Sequence, residues 1–312
     1  MNFSKKKNNS PPLIHGFQDL MSEEDWLAWR RSGIGGSDAG VAVGWNPYKS
    51  PLDLYLDKKT GRTDFVGNTA TEWGHRLEPF VIEACQQNHP EICKVLVDLP
   101  LMSHPDRTWQ LATMDKGIAE GKFGPGGIEA KTALSFFTGK SYQDGNMPNH
   151  HRAQCLHYMS VTGAPFWILA AFTEGPRFYT HFIERDEAEI DWLNEKETLL
   201  WNAIQDDDIE YLLAGCDKTS KALLKLYPEV LEEDPVFLTD QKVLDAVETY
   251  VFSKKIERAA AEDKREAANT IKAALGPCES AYIGRHLVKW QETKNGRRFS
   301  IKEDPNAPNK EK

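Results

Sequence analysis

The chain has 312 residues, of which 40% are hydrophobic and 27% charged, as in a globular protein of roughly two domains. This composition excludes a fibrous protein, a disulfide scaffold and a wholly disordered chain. No apolar run approaches the roughly 18–20 residues of a membrane helix, and no apolar segment follows the basic start, so we expect neither a membrane protein nor a secretory signal. Five widely spaced cysteines indicate free thiols in the cytoplasm.

The net charge of −9 argues at first against a nucleic-acid partner, because phosphates repel an acidic surface. The acidic residues are not evenly distributed, however. Residues 186–210 hold ten carboxylates and one lysine, so the rest of the chain is neutral overall. The acidic total therefore does not exclude a protein that binds DNA in a basic groove.

The first part of the chain has helical spacing after a disordered N-terminal arm predicted over 1–19. Helices are expected at 23–31, at 51–60 between Pro51 and Gly61, and at 69–88, where Pro79 indicates a kink or a boundary. Between the first two lies the glycine-rich run SGIGGSDAGVAVG. Its residues Ser37 and Asp38 are candidate caps of a further short helix.

The middle of the chain changes character to short apolar runs broken by Gly, Pro and Asp, which predict consecutive strands. A helix at 147–163 and a strand hairpin follow, then an acidic helix from 186 to 205. A long helix is expected from about 239 to 275, and Asn295-Gly296 indicates a β-hairpin. This order predicts an α/β or α+β core over 20–185, an acidic helix and linker over 186–235, and a helical arm with a β-hairpin tail over 236–312.

Acidic residues and a lysine flank a glycine-rich turn in LATMDKGIAEGKFGPGGIEAKTA. Glu129 and Lys131 alternate on one predicted strand, so they face the same way, and pairing with the preceding strand would bring Asp115 beside them. Such oxygen ligands suit Mg²⁺ or Mn²⁺, which can activate water and offset phosphodiester charge. The alternative is a surface hairpin with a solvated Glu–Lys pair.

Upstream, Glu78 shares a predicted helix face with apolar neighbours, where burial requires a partner. A metal ion is one possible partner, and Arg76 or simple exposure is the alternative. In the helix at 147–163, only His150 and His157 have the spacing of a zinc pair, and no carboxylate accompanies them. The glycine-rich run also fails as a dinucleotide-binding turn, because a helix rather than a strand precedes it.

Five sequence blocks in order resemble the YqaJ-like viral recombinase family, the lambda-type exonucleases of the PD-(D/E)xK nuclease superfamily. They span about residues 23–175 and read RRSGIGGSDAGVAVGWNPYKSPLDLY, WGHRLEP, LATMDKGI, IEAKTA and HRAQCLHYMSVTG. The resemblance implies a restriction-endonuclease-like core, with a central mixed β-sheet flanked by helices. One departure is Met114, which stands where the family usually has proline before the first catalytic aspartate.

The resemblance also implies roles for particular residues. Asp115, Glu129 and Lys131 are similar to the family's catalytic residues. The metal ligands, for two Mg²⁺ ions that Mn²⁺ can replace, would be the carboxylates of Glu78, Asp115 and Glu129 with the carbonyl of Ala130. Gln154 matches a glutamine that helps to place Lys131 or a water.

Further residues are candidates for contact with DNA. Arg30 and Ser37 match the family's pocket for a 5′-phosphate, with Arg31 as a rival for the role of Arg30; a guanidinium grips phosphate through two hydrogen bonds. His151 and Tyr158 share the helix face of Gln154. Either could contact DNA, and core packing is an equal alternative for Tyr158.

The residues themselves favour a Mg²⁺ site beside a phosphate pocket. The resemblance implies a Mg²⁺-dependent exonuclease that degrades linear double-stranded DNA from the 5′ end and leaves 3′ overhangs for phage or prophage recombination. The resemblance further implies a trimeric ring and a single-strand annealing protein as partner, in the bacterial cytoplasm. Two alternatives stay open. One is an endonuclease or a RecB-like nuclease with the same site, and the other is an inactive DNA-binding recombination scaffold.

Overall fold

The fold was analysed in a computed structural model, which describes residues 10–61, 69–133, 135–174, 177–230, 235, 237–305 and 307. The chain divides into two units, Met1–Val230 and Leu231–Lys312. Within the described ranges, no helix combines the length and the apolar character needed to cross a membrane.

The first unit contains nine strands and nine α-helices in its described residues, together with two short 3₁₀ helices at Gln18–Leu20 and Lys140–Tyr142. The strands are β1 (Leu13–Gly16), β2 (Ile34–Gly35), β3 (Val95–Val97), β4 (Leu101–Ser103), β5 (Gln110–Ala112), β6 (Lys116–Glu120), β7 (Gly126–Ala133), β8 (Phe166–Thr173) and β9 (Arg177–Glu184). The helices are α1 (Glu23–Arg31), α2 (Gly36–Ala42), α3 (Pro51–Thr60), α4 (Thr69–Asn88), α5 (Phe136–Gly139), α6 (Asn149–Thr162), α7 (Glu187–Gln205), α8 (Ile209–Leu212) and α9 (Asp217–Leu226).

The central sheet is mixed and has the order β3-β6-β7-β8-β9. Strands β7 and β8 run parallel, and the other neighbours are antiparallel. Strand β7 begins with Gly126-Gly127, because a Cβ on Gly127 would lie 2.1 Å from the ring of Trp167 on the adjacent strand. The predicted α/β architecture with a central mixed sheet is confirmed.

Helices cover both faces of this sheet, and alternate residues of β8 point to opposite sides. Phe166 and Ile168 pack in one apolar cluster with Val81 and Ile82 of α4. Trp167 and Leu169 belong to a second cluster, formed with residues of α6 and α7. Because β8 is buried on both faces, it reads as a continuous apolar run.

The predicted series of consecutive strands divides between two sheets. Strands β4 and β5 leave the central sheet and join a smaller one, with the order β1-β4-β5-β2. Strand β1, within the stretch expected as a disordered arm, pairs with β4; the part of that arm before residue 10 lies outside the described residues. Asp115 stands in the short link between β5 and β6, where the chain passes from one sheet to the other.

Helix ends follow local chemistry, with one correction. Helix α3 begins at Pro51 and ends before Gly61, whose φ of +66° is the left-handed conformation that glycine adopts without strain. The predicted caps are half right: α2 begins at Gly36, so Ser37 is not a cap, but the Asp38 carboxylate in its first turn accepts from the N–H of Gly35 at 3.3 Å. Pro79 neither starts nor ends α4, which continues through it.

The second unit contains α10 (Gln241–Leu275) and an antiparallel sheet of β10 (Ser280–Ile283), β11 (His286–Thr293) and β12 (Gly296–Glu303). The side chain of Asp240 accepts hydrogen bonds from the first turn of α10. The predicted hairpin is present as β11–β12, with Thr293 paired to Gly296 across the turn. A third strand, β10, was not predicted separately; it pairs with β11 across the turn at Gly284.

Candidate active site

Three carboxylates and a lysine lie together where the start of β6, the middle of β7 and helix α4 meet. Lys116 pairs with Ile128, so the chain just before Lys116 runs beside residues 129 and 130. The Asp115 carboxylate accepts a hydrogen bond from the Ala130 N–H at 2.7 Å. Since the N–H and C=O of one residue in an extended strand point to the same side, the carbonyl of Ala130 also faces the Asp115 side.

Glu129 is the most enclosed member of the group, with 1% of its surface exposed. One carboxylate oxygen, Oε1, accepts from the Lys131 ammonium and from Gln154 Nε2, the latter at 2.7 Å. The other, Oε2, is buried and has no hydrogen-bond partner among the described residues. Gln154 also donates to the Tyr158 hydroxyl at 2.8 Å, so α6 holds Glu129 in place.

The cluster resists full ionisation because its carboxyl groups are buried and repel one another, with one ammonium among them. Burial raises the pKa of Glu129 to about 8, with Asp115 adding repulsion and Lys131 opposing the rise. Burial and then Asp115 raise the pKa of Glu78 to about 7. Burial also raises the pKa of Asp115, against the opposing effect of Lys131. The cluster therefore retains protons close to neutral pH.

Lys131 stays protonated in this setting. Burial lowers the pKa of its ammonium, but Glu129 and Asp115 outweigh burial and raise that pKa overall. A charged lysine can orient a water molecule or stabilise negative charge on a phosphate oxygen, but it cannot accept a proton. This favours orientation of a water molecule and stabilisation of charge by Lys131 over a role as a base.

The donor set fits a divalent cation, although no three His, Cys, Asp or Glu side chains of the described ranges are already arranged around one point. The oxygen Oε2 of Glu129 is unpaired in a buried position, which is costly without a partner. The repulsion among Glu78, Asp115 and Glu129 is of the kind that a 2+ charge relieves. Hard carboxylate and carbonyl oxygens are the ligands that Mg²⁺ and Mn²⁺ accept.

The carboxylate cluster lies in a cleft that also contains Arg30 and Ser37, the candidates for a 5′-phosphate pocket. Its volume is about 820 Å³, and Arg30, Ser37 and Glu78 line it together with Asp115, Glu129, Lys131, Gln154 and Tyr158. Arg30 and Ser37 are both exposed. The rival Arg31 does not line the cleft; its guanidinium lies beside Gly61 at the end of α3. Arg30, rather than Arg31, thus shares the cleft with the carboxylate cluster.

Two further cleft residues escaped the sequence reasoning. Asp38 and Lys58 form an ion pair of 2.8 Å, and only 4% of each side chain is exposed. Burial alone would raise the pKa of Asp38, but Lys58 and then Lys49 outweigh it and lower that pKa to about 2. The sequence signal is weak, because Asp38 has the position of a helix cap and Lys58 lies in the last turn of a helix, where basic residues are common.

Tyr158 lies at the inner wall of the cleft, where it combines two functions. Its ring packs against Trp167 at a centroid distance of 5.3 Å, and only 3% of the residue is exposed. A Cβ on Gly36 would lie 2.4 Å from that ring, so glycine is needed where α2 meets α6. The hydroxyl holds Gln154, which makes Tyr158 mainly a core residue that supports the cluster.

His151 and His157 have surroundings different from those expected of surface ligands. His151 does not line the cleft; it stacks on Tyr142 with ring centroids 6.1 Å apart, and its Nδ1 is buried without a hydrogen-bond partner among the described residues. His157 is fully buried and bonds to Glu197 at 2.8 Å and to the Leu111 carbonyl at 2.9 Å. The histidine pair considered for zinc is thus split, since His157 belongs to a buried polar network.

Comparison with known proteins supports the resemblance. Residues 25–165 match the model of the YqaJ-like viral recombinase domain. The chain is 29% identical over 282 residues to the uncharacterized protein YqaJ of Bacillus subtilis (strain 168), across 89% of this chain and 86% of that protein. The family resemblance inferred from the sequence is therefore confirmed over the segment that carries the cleft's carboxylates.

Solved structures similar to this chain include an alkaline exonuclease, LHK-Exo, from Laribacter hongkongensis, at 20% identity with a TM-score of 0.48 over 65% of this chain and 99% of that one. Its complex with dAMP gives 21% identity and a TM-score of 0.49 over the same shares. A phage-related exonuclease from Haemophilus somnus 129PT covers 57% of this chain and 96% of its own, at 13% identity and a TM-score of 0.45.

Proposed function

We propose that the protein is a Mg²⁺-dependent exonuclease that degrades one strand of linear double-stranded DNA from its 5′ end and leaves 3′ single-stranded overhangs. The observation that carries this proposal is that two groups of residues line one cleft. One is a carboxylate–lysine cluster suited to phosphodiester hydrolysis, and the other is an exposed arginine and serine suited to binding a terminal phosphate. The named functions of the similar exonucleases agree with it.

Glu78, Asp115 and Glu129, with the carbonyl of Ala130, would hold Mg²⁺, or Mn²⁺ in its place, as two ions. The ions supply charge neutralisation at the phosphate and a more acidic water. The protein's own groups do the remaining work. The Lys131 ammonium orients the nucleophile and stabilises charge on the phosphate, while Gln154 keeps Glu129 facing the cleft.

Recognition of the DNA end would rest on Arg30 and Ser37. A guanidinium donates two parallel hydrogen bonds to a phosphate, and a hydroxyl adds a third. Holding the terminal phosphate in this way would place the first phosphodiester bond against the carboxylate cluster. The pocket would thus explain action from a 5′ end, which the cluster alone does not.

The wider setting follows from the family resemblance. The protein would act in the cytoplasm of a bacterial host, in phage or prophage recombination, as a trimeric ring around the DNA with a single-strand annealing protein as partner. Sedimentation at several protein concentrations, with and without duplex DNA, tests the ring. A monomer that digests DNA at full rate would contradict it.

The deciding experiment compares a linear 5′-phosphorylated duplex with a closed circular duplex, in Mg²⁺ and in EDTA. Glu129→Gln, which keeps the shape of the side chain but not its charge, is the matched control. We expect metal-dependent loss of the linear DNA alone and none with the variant. Cleavage of the circle would favour an endonuclease, and binding without cleavage of either DNA would favour a recombination scaffold.

A further inference from the structure

A buried ion pair in the wall of the cleft requires an explanation. Lys58 and Asp38 are each 4% exposed and lie 2.8 Å apart. Removing two charges from water is so costly that apolar residues of similar volume often serve stability as well or better. A pair kept at this position, beside the candidate phosphate pocket, is therefore expected to do something other than stabilise the fold.

Lys58 joins the two segments that carry the phosphate-binding candidates. Its ammonium donates to the carbonyl oxygen of Arg30 at 2.7 Å, in the last turn of α1, where carbonyls lack intrahelical donors. Its other bond, at 2.8 Å, is to Asp38, the residue directly after Ser37. Asp38 in turn accepts from the N–H of Gly35 at 3.3 Å. One buried ammonium thus ties the backbone at Arg30 to the turn that presents Ser37.

We propose that Lys58, acting with Asp38, is a positioning residue that fixes Arg30 and Ser37 at the separation needed to grip a terminal phosphate, and so sets the preference for 5′-phosphorylated ends. This inference rests on the proposed function. Bidentate contact between guanidinium and phosphate depends on geometry, and a displacement of about 1 Å far from the chemistry can cost about a hundredfold in rate. Lys49 is a second, more distant counter-charge to Asp38 at 3.9 Å, and it also pairs with Asp57 at 3.2 Å.

The test uses two linear duplexes that differ only in a 5′-phosphate or a 5′-hydroxyl. For Lys58→Met combined with Asp38→Asn, which removes both charges, we expect KM to rise by about tenfold on the phosphorylated end, the size of one lost charged hydrogen bond. The loss on the hydroxyl end should be smaller, so that the preference for the phosphorylated end falls. Lys59→Met is the matched control, because Lys59 follows directly in α3 but pairs with Asp207 at 3.1 Å and does not line the cleft. It should keep the wild-type preference.

A second measurement separates positioning from a general loss of structure. If Lys58 acts through Arg30, Lys58→Met should reduce the phosphate preference in the wild type but not further in Arg30→Ala. The proposal would be overturned if Lys58→Met and Arg30→Ala reduced the phosphate preference additively. It would also be overturned if the variant that carries both Lys58→Met and Asp38→Asn folded and kept the wild-type preference. If neither Lys58 variant folds, Asp38→Asn alone is tested in the same way, by comparing its KM on the phosphorylated end with its KM on the hydroxyl end. A wild-type protein without any preference would instead refute the phosphate pocket of the proposed function.

Discussion

The crowded carboxylates predict that stability without divalent ions falls as pH rises, and that Glu129→Gln removes much of this fall. Burial and Asp115 raise the pKa of Glu129 from 4.5 to about 8. The folded protein therefore keeps a proton that the unfolded chain releases near pH 4.5. Where the native state binds more protons, the free energy of unfolding decreases as pH increases. The stabilisation is complete below the unfolded pKa and is lost as pH rises through the folded one.

The size of the effect follows from one retained proton. Each pH unit between the two pKa values changes the free energy of unfolding by about 1.4 kcal/mol, so the step from pH 6 to pH 8 costs about 2 kcal/mol. Glutamine cannot ionise, and its amide oxygen can still accept from Gln154. We expect the stability of Glu129→Gln relative to the wild type to improve by about this amount over the same step.

Urea unfolding in EDTA at pH 6, 7 and 8 measures this difference. In the difference between the variant and the wild type, the contributions of other titrating groups to the free energy of unfolding cancel, such as that of the buried His157. Glu195→Gln, at an exposed position, controls for the removal of one negative charge. Addition of Mg²⁺ at pH 8 should stabilise the wild type more than Glu129→Gln. A difference between the two proteins that stays constant with pH would refute the account of the cluster.

Three further predictions concern single side chains. Lys131→Ala should abolish cleavage while Mg²⁺-supported DNA binding persists; loss of binding as well would mean that Lys131 has a structural role. Arg30→Ala should slow digestion of 5′-phosphorylated ends more than of 5′-hydroxyl ends, whereas Arg31→Ala, outside the cleft, should slow both equally or neither. Gly36→Ala should destabilise the fold by about 1–3 kcal/mol, because its Cβ would overlap the Tyr158 ring at 2.4 Å; an unchanged melting temperature would contradict the close packing.

Element types were predictable wherever periodicity and end signals agreed. The helix at 23–31 and the one between Pro51 and Gly61 appear as predicted, because caps and glycine define their ends locally. The assignment of strands to sheets was not predictable. Runs of three residues such as β4 and β5 carry no information on their partners, so nothing in the sequence shows that they leave the central sheet.

The catalytic residues of the candidate site were predictable from the sequence, whereas the ion pair that holds the phosphate-binding candidates was not. Alternation on one strand places Glu129 and Lys131 on one face, and the observed register brings Asp115 to the Ala130 N–H. The pairing of Asp38 with Lys58 was missed because twenty positions and two helix ends separate them in the chain. Long-range ion pairs of this kind follow from how helices pack, which a single sequence does not encode in any local pattern.

The two parts of the cleft, the carboxylate cluster and the side of Arg30, have opposite electrostatic effects on a DNA phosphate. Glu78, Asp115 and Glu129 repel a DNA phosphate unless cations neutralise them, whereas Arg30 attracts it. At the pKa values of the cluster, protons partly neutralise the carboxylates near pH 7, and divalent ions would displace those protons as the pH rises. Because the proposed phosphate pocket does not share these protons, the proposed end binding and cleavage should respond differently to pH, with cleavage the more sensitive of the two.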